Sequence, residues 1–87
     1  MADQRLMKPT VIKIDAIYIP HGLRKPLDPH KLEEIAVSIA DIGQQSPILV
    51  RPDKERYVLV SGLHRLEACR ALGESTIIAN VVQARKH

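Results

Sequence analysis

The chain has 87 residues, which is enough for one domain and too few for two. Hydrophobic residues make up 45% of it, so we expect it to fold, but it contains two Tyr and neither Phe nor Trp. This composition excludes a module that stacks single-stranded bases on aromatic side chains, and it predicts an aliphatic core. A net charge of +3 permits a polyanionic partner without requiring one.

The single cysteine excludes an internal disulfide and a zinc ribbon. Cys69 lies three residues after Leu66, at helical spacing, so we predict a packed structural thiol. His21, Asp28 and His30 form no clustered metal-binding motif. Because the sequence shows neither a signal peptide nor a membrane-length apolar run, we expect a cytoplasmic location and no membrane partner.

The domain proper is expected to span residues 10–82, between a flexible arm at 1–9 and a basic tail at 83–87. The β-branched run Thr10–Ile19 predicts a strand, or two short strands with a bend near Asp15. A loop broken by proline and glycine follows, and it carries Arg24 and Lys25.

The first helix is predicted between Asp28, a suitable N-cap, and Gly43, a suitable C-terminal stop. Its expected buried face consists of residues at helical spacing: Leu32, Ile35, Ala36, Ile39 and Ile42. Glu33 and Glu34 lie near its positive end, and four acids with one lysine give residues 28–43 a net charge of −3. We therefore expect a polyanion to avoid this helix.

The second half predicts a β-hairpin, a helix and a last strand. The hairpin strands are Ile48–Pro52 and Tyr57–Gly62, and the helix ends at Gly73 with Leu66, Cys69 and Leu72 toward the core. Thr76–Val82 is the final strand. The order β-α-β-β-α-β predicts an α+β domain with a small mixed sheet packed by two helices.

The start of the second helix has the composition of a phosphate site. Ser61 and Gly62 precede it, His64 and Arg65 stand in its first turn, and the first acid is Glu67. Cations at the positive end of a helix are unfavourable by roughly 0.3–1 kcal/mol each unless an anion is bound there. The spacing therefore predicts a phosphate cradle at Gly62–Arg65, with merely solvated basic residues as the alternative.

Long stretches also resemble a known family: residues 24–28, RKPLD; then LEEIAVSIADIGQQSPILVRP, YVLVSGLHRLEACRALG and TIIANVV. They resemble the N-terminal domain of ParB partition proteins, whose fold is shared with sulfiredoxin. The resemblance covers roughly residues 10–82. It implies a ParB/sulfiredoxin-like fold.

The resemblance also implies nucleotide binding, because ParB proteins bind CTP at a GERR motif and sulfiredoxins bind ATP at GCHR. Here the motif is Gly62-Leu63-His64-Arg65, and the implied phosphate contacts include Arg24 and Lys25. The implied base-reading loop includes Gln45 and Ser46, and Ser46 stands where the family favours Gln. The implied cofactor is CTP or ATP, with Mg²⁺ carried by the triphosphate.

The sequence departs from both families at Leu63. That side chain replaces the nucleophilic Cys of sulfiredoxin and the motif Glu of ParB, so peroxiredoxin repair is not expected and no catalytic residue is assigned. A ParB-type ENxxR motif is absent from the sequence. Any enzymatic activity would be a weak nucleoside triphosphatase.

The sequence thus predicts a nucleotide-binding domain linked to DNA partition or DNA-associated regulation. A partition-type protein, DNA or a second copy would be its partner. The alternatives are a nucleotide-independent DNA-associating plasmid or mobile-element protein, with Arg51, Lys54 and Arg56 on the phosphates, and a slow triphosphatase or phosphotransferase. The choice between a whole protein and an excised domain stays open.

Overall fold

The computed structural model describes residues 9–24, 26–44 and 46–82. Five strands and two α-helices follow one another in the order expected, with the first strand split in two. Strands β1 (Thr10–Lys13) and β2 (Ile17–Tyr18) flank a 3₁₀ turn over Ile14–Ala16, which confirms the bend near Asp15. The remaining elements are α1 (Pro29–Ile42), β3 (Ile48–Asp53), β4 (Arg56–Ser61), α2 (Leu63–Ala71) and β5 (Thr76–Val81).

The sheet is mixed and curled. Its strand order is β1-β5-β3-β4-β2, in which β5 pairs with β3 and β4 with β2 in parallel, and the other two pairs are antiparallel. The edge strands β1 and β2 would lie about 19 Å apart in a flat sheet with strands ~4.8 Å apart. The 3₁₀ turn between them spans only about 8 Å at ~2 Å per residue. The sheet must therefore curl until its two edges approach each other.

The core is formed by side chains from all five strands and from α2. Within the described residues the buried side chains are aliphatic apart from Cys69, and the largest of them are Ile48, Val50, Leu59 and Leu66. The expectation of an aliphatic core is confirmed. Leu66 and Cys69 bring α2 onto the sheet, whereas Leu72, expected in the core, is 38% exposed because α2 ends one residue before it.

Helix α1 packs chiefly on α2 rather than on the sheet. All of α1 is described, and none of its residues is fully buried. Ile39 packs against the core, but Ile42, predicted on the same face, is 60% exposed at the last position of the helix. The sequence prediction for Ile42 was therefore wrong, although Gly43 does end the helix with φ +83°.

The loop from α1 to β3 is pinned by one side chain. The Gln44 amide accepts a hydrogen bond from the Ile78 N–H at 2.8 Å and donates one to the Ile78 carbonyl at 2.8 Å. It thus extends the β3–β5 ladder beyond Ile48, which pairs with Ala79.

Among the helices of the described residues, none combines the length and apolar character needed to cross a membrane.

Candidate functional site

The junction between β4 and α2 is built on a glycine. Gly62 has φ +105° and ψ 29°, in the left-handed region, and serves as the N-cap of α2. A Cβ placed on it would lie 2.7 Å from Ile48 Cγ2 and 3.0 Å from Ile48 Cβ. Only glycine fits both the backbone turn and this close contact.

A β-bulge lies immediately before this glycine. Leu49 pairs with Ser61 while its neighbour Val50 pairs with Leu59, so Val60 has no partner opposite it in the ladder. Bulges bend a strand and re-aim the residues that follow. The bulge therefore helps to set the direction in which the chain enters α2.

The start of α2 offers backbone donors without a side-chain cap. The Leu66 N–H donates to the Gly62 carbonyl at 2.9 Å, and this is the first hydrogen bond of the helix. The N–H groups of Leu63, His64 and Arg65 precede it, and no side chain of the described residues caps them. Three donors and the positive end of the helix dipole therefore face outward together.

The start of α1 lies beside the start of α2. The Asp28 side chain accepts hydrogen bonds from the N–H groups of His30 at 3.0 Å and Lys31 at 3.3 Å, which confirms Asp28 as the N-cap. The Asp28 N–H in turn donates to His64 Nε2 at 3.1 Å. Among the described residues, this hydrogen bond joins the two helix starts.

The first turn of α1 bears on the expectation that a polyanion avoids this helix, which stays a prediction. Within its described residues that turn holds no acid, because Glu33 and Glu34 come later. It instead contributes Lys31 to a cleft of about 240 Å³, shared with Ile35 of α1 and with Gly62, Leu63, His64 and Arg65. Of the four acids in residues 28–43, Glu33, Glu34 and Asp41 lie beyond this turn, and the fourth, Asp28, caps it.

Among the residues that the structure describes, the two cations of this cleft form no ion pair. Within the described residues, neither Lys31 nor Arg65 makes an ion pair or a side-chain hydrogen bond, and no carboxylate lines the cleft. Arg65 is only half-buried, so water partly screens it. Two cations and an uncapped helix start therefore surround one cavity that suits an anion.

Two further clefts adjoin the first. A groove of about 160 Å³ between α1 and α2 shares Ile35 and Arg65 with it and is otherwise lined by Glu34, Ser38, Ile39 and Gly43. On the other side of Gly62, a largely apolar cleft of about 220 Å³ is lined by Leu23, Pro26, Val60, Ser61, Gly62, Leu63 and His64. The three together could hold a ligand with one anionic part and one heterocyclic part.

The loop residues implied by the family resemblance contribute less to these clefts. Arg24 uses its Nε to donate to the Ile19 carbonyl at 3.0 Å and lines none of the three. Ser46 is exposed, and its carbonyl accepts a hydrogen bond from Gln44 Nε2 at 2.9 Å. Lys25 and Gln45 lie outside the described residues.

The residues predicted to contact DNA lie on the β3–β4 hairpin. The turn of this hairpin precedes β4, whereas Gly62 follows the opposite end of that strand. Arg56 pairs with Asp53 at 3.3 Å, and its Cζ lies 4.2 Å from the centre of the Tyr18 ring. Lys54 occupies the turn with φ +58°, and Arg51 is exposed on β3. The concavity at this turn, about 400 Å³, is lined by two acids and two bases, Asp53–Arg56.

Three residues that line these clefts were not predicted as site residues: Lys31, Glu34 and Ser38. A signal for Lys31 was present, because a lysine in the first turn of a helix violates the dipole preference in the same way as His64 and Arg65. Glu34 and Ser38 gave no comparable signal. Their groove exists only because α1 packs beside α2.

Cys69 is 2% exposed and belongs to the core, as expected. Burial raises the pKa of its thiol above 9.0; Glu74 raises the pKa further, and Arg65 opposes the shift. A buried thiol with a raised pKa is a poor nucleophile.

Among the described residues, no group of three or more His, Cys, Asp or Glu side chains could hold a metal ion.

Comparisons with known proteins agree with this architecture. The family model described as the ParB N-terminal domain matches residues 2–87. A probable chromosome-partitioning protein ParB of Campylobacter jejuni is 39% identical over 71 residues, which are 80% of this chain and 26% of that protein. The chain thus spans about a quarter of the length of this relative.

Solved structures give the same result. The crystal structure of sulfiredoxin from Arabidopsis thaliana is similar with a TM-score of 0.82 and 31% identity, covering 88% of this chain and 86% of that one. The truncated chromosome-partitioning protein ParB of Caulobacter crescentus, complexed with CTP-γ-S, gives a TM-score of 0.77 and 26% identity. That match covers 91% of this chain and 46% of the Caulobacter chain. The ParB/sulfiredoxin-like fold expected from the sequence is confirmed.

Proposed function

The chain belongs to the ParB N-terminal domain family, and from this premise we propose that it binds a nucleoside triphosphate, CTP or ATP. The observation that carries the proposal is the cleft at the two helix starts. Lys31 and Arg65 face it without counter-ions among the described residues, and the N-terminus of α2 has no side-chain cap. The Caulobacter relative with the same fold is complexed with CTP-γ-S.

The phosphates would bind at the start of α2. Backbone N–H groups of Leu63, His64 and Arg65 would donate to phosphate oxygens, and Gly62 would allow the close approach. Lys31 and Arg65 would neutralise the charge, since a cation on a phosphate gives a strong, charge-assisted hydrogen bond. Arg24 and Lys25 are proposed to close over the phosphates.

The base and sugar would lie in the adjoining groove between α1 and α2. Ile35 and Ile39 offer apolar wall, while Glu34 and Ser38 offer polar groups to a base edge or a hydroxyl. The loop at Gln45 and Ser46, which follows Gly43 of this groove, is proposed to add backbone contacts. A Mg²⁺ ion would be held by phosphate oxygens and water, because no carboxylate of the described residues lines the phosphate cleft.

We propose binding without efficient turnover. The Leu63 side chain supplies neither a nucleophile nor a base at the motif position. Glu67 lines none of the three clefts, and its Oε1 lies 3.8 Å from Arg70 Nε. Cys69 lies in the core rather than at the cleft. Sulfiredoxin-type repair, which needs a cysteine at the cleft, is therefore not part of the proposal.

The biological role follows from the relatives and is part of the proposal. Because the matching curated proteins are probable chromosome-partitioning proteins, nucleotide binding would regulate an association in DNA partition. The associating partner would be DNA, a partition-type protein or a second copy. The chain spans about a quarter of the Campylobacter relative, so DNA reading would involve parts of such proteins outside this domain.

The test is calorimetric titration of the chain with CTP, ATP and GTP, each with Mg²⁺, and with tripolyphosphate. We expect saturable binding that Arg65→Ala and Lys31→Ala each weaken at least about 10-fold, the value of a charge-assisted hydrogen bond. Arg51→Ala is the matched control, since it removes an exposed cation outside all three clefts.

Three outcomes would contradict the proposal. Absence of binding at millimolar nucleotide would mean that the fold has lost its site. Steeply salt-dependent DNA binding with no nucleotide effect would favour the DNA-associating alternative. Rapid Mg²⁺-dependent turnover would favour an enzyme.

A further inference from the structure

Helix α1 lacks the usual acceptor for the N–H of its N-cap residue. In a capping box, the third helical residue is a Glu or Gln whose side chain accepts a hydrogen bond from that N–H. In α1 the N-cap is Asp28, the first helical residue is Pro29 and the third is Lys31. A lysine has three donors and no acceptor, so it cannot fill this role.

The missing acceptor comes from the other helix. His64, in the first turn of α2 and 36 residues away in sequence, accepts the Asp28 N–H through Nε2 at 3.1 Å. The bond needs the lone pair of Nε2. A neutral imidazole in this arrangement therefore carries its proton on Nδ1. While the bond is formed, Nε2 cannot donate to a phosphate.

We propose that His64 is a positioning residue that caps α1 from α2 and thereby fixes Lys31 at the cleft. The cap holds the two helix starts at one spacing, with Lys31 and Arg65 on the same cavity. A local capping box would require Glu or Gln at position 31 and would remove one of the two cations. The cross-helix cap allows a capped α1 and a lysine at that position together.

This role differs from that of a phosphate-binding cation. A cation at position 64 would act through charge, and lysine could replace histidine. A capping acceptor would act through its lone pair, and glutamine could replace histidine, because Gln Oε1 reaches about as far as Nε2. The two substitutions therefore separate the two roles.

The bond itself can be tested without any ligand. In a ¹⁵N-labelled chain, a scalar coupling across the N–H···N bond should connect the Asp28 amide nitrogen with His64 Nε2. We expect this coupling in the wild-type chain and its loss in His64→Ala. Its absence from a folded wild-type chain would overturn the proposal independently of nucleotide binding.

The effect on anion binding rests on the proposed function and is measured by titration with CTP, ATP and tripolyphosphate. We expect His64→Gln to bind within about 3-fold of the wild type and His64→Ala to bind about 5- to 10-fold more weakly, the value of one hydrogen bond. His64→Lys should bind more weakly than His64→Gln. The reverse order, or equal affinities in all variants, would overturn the positioning role.

A double-mutant cycle tests whether His64 affects anion binding through Lys31. If His64 acts by placing Lys31, then His64→Ala should weaken binding much less in a Lys31→Ala background than in the wild type. Strictly additive losses would overturn that link. Thermal melts of each variant establish that it is folded. A wild-type chain that binds no triphosphate would refute the proposed function, but the scalar-coupling experiment would still test the Asp28–His64 bond.

Discussion

Gly62 and Ile48 approach each other so closely that a Cβ on the glycine would lie 2.7 Å from the isoleucine Cγ2. Ile48 is 1% exposed at the start of β3, in the centre of the sheet. Movement of Ile48 would disturb that strand as well as the side chain, since its Cα would be only 3.3 Å from the added carbon. The glycine of the proposed phosphate site therefore also has a structural role, because it packs against the core residue Ile48.

Gly62→Ala should destabilise the chain by about 2–5 kcal/mol, from left-handed backbone strain and overpacking together. Gly73 shares the positive φ, at +80°, but faces open space, so Gly73→Ala should cost about 1–2 kcal/mol. Gly22 has neither constraint, and Gly22→Ala should leave stability nearly unchanged. Chemical denaturation of the three variants measures the series, and equal losses for Gly62 and Gly73 would refute the contact with Ile48.

Glu34→Gln should reduce discrimination between bases. The Glu34 carboxylate can accept a hydrogen bond from the exocyclic amine of cytosine but repels the carbonyl that uracil has there. Glutamine can donate or accept, so we expect the CTP-to-UTP affinity ratio to fall about 3- to 10-fold.

The control for this prediction is the binding of tripolyphosphate, which has the phosphates of the nucleotide but no base. Removing the Glu34 charge should leave tripolyphosphate binding unchanged or tighter, because a carboxylate near an anion repels it. Glu33→Gln, on the exposed part of the same helix, should leave the ratio unchanged. An unaltered ratio in Glu34→Gln would mean that the base lies elsewhere.

Gln44→Ala should destabilise the chain by about 1–2 kcal/mol, because it removes two hydrogen bonds to the part-buried Ile78 backbone. The loss would free the loop that leads from α1 into β3. Hydrogen exchange at the Ile78 amide should accelerate in the same variant. Exchange as slow as in the wild type would mean that the side-chain amide does not hold this strand.

Cys69 should react slowly with thiol reagents in the folded chain at neutral pH and rapidly after denaturation. Because burial raises the pKa of the folded thiol above 9.0, the unfolded thiol ionises first as the pH rises. The contribution of this group to stability is therefore complete well below the pKa of the unfolded thiol, and it declines as the pH rises through that value toward the raised pKa of the folded thiol. Denaturation curves across this range should show the decline, and Cys69→Ala should lack it.

Prompt, complete labelling of Cys69 in the native chain would contradict its burial. It would also reopen the case for thiol chemistry near the cleft. A wild-type stability curve parallel to that of Cys69→Ala above pH 9.0 would contradict the raised pKa.

Local features of the chain were readable from the sequence. Asp28 and Gly43 bound α1 because an N-cap side chain and a left-handed stop act within a few residues. The hairpin, α2 and the aliphatic core followed from periodicity in the same way. Gly62, His64 and Arg65 were recognised because the helix dipole makes cations at that position unusual.

Only the tertiary structure decided which of these local features meet. Asp28 and His64 are 36 residues apart, Gln44 and Ile78 are 34 apart, and their contacts depend on the curl of the sheet and on α1 packing against α2. The same packing brings Lys31 to the cleft, and the strand order brings Arg56 onto Tyr18. Spacing along a chain encodes the faces of single elements, whereas the pairing of faces is set by the packing of all of them together.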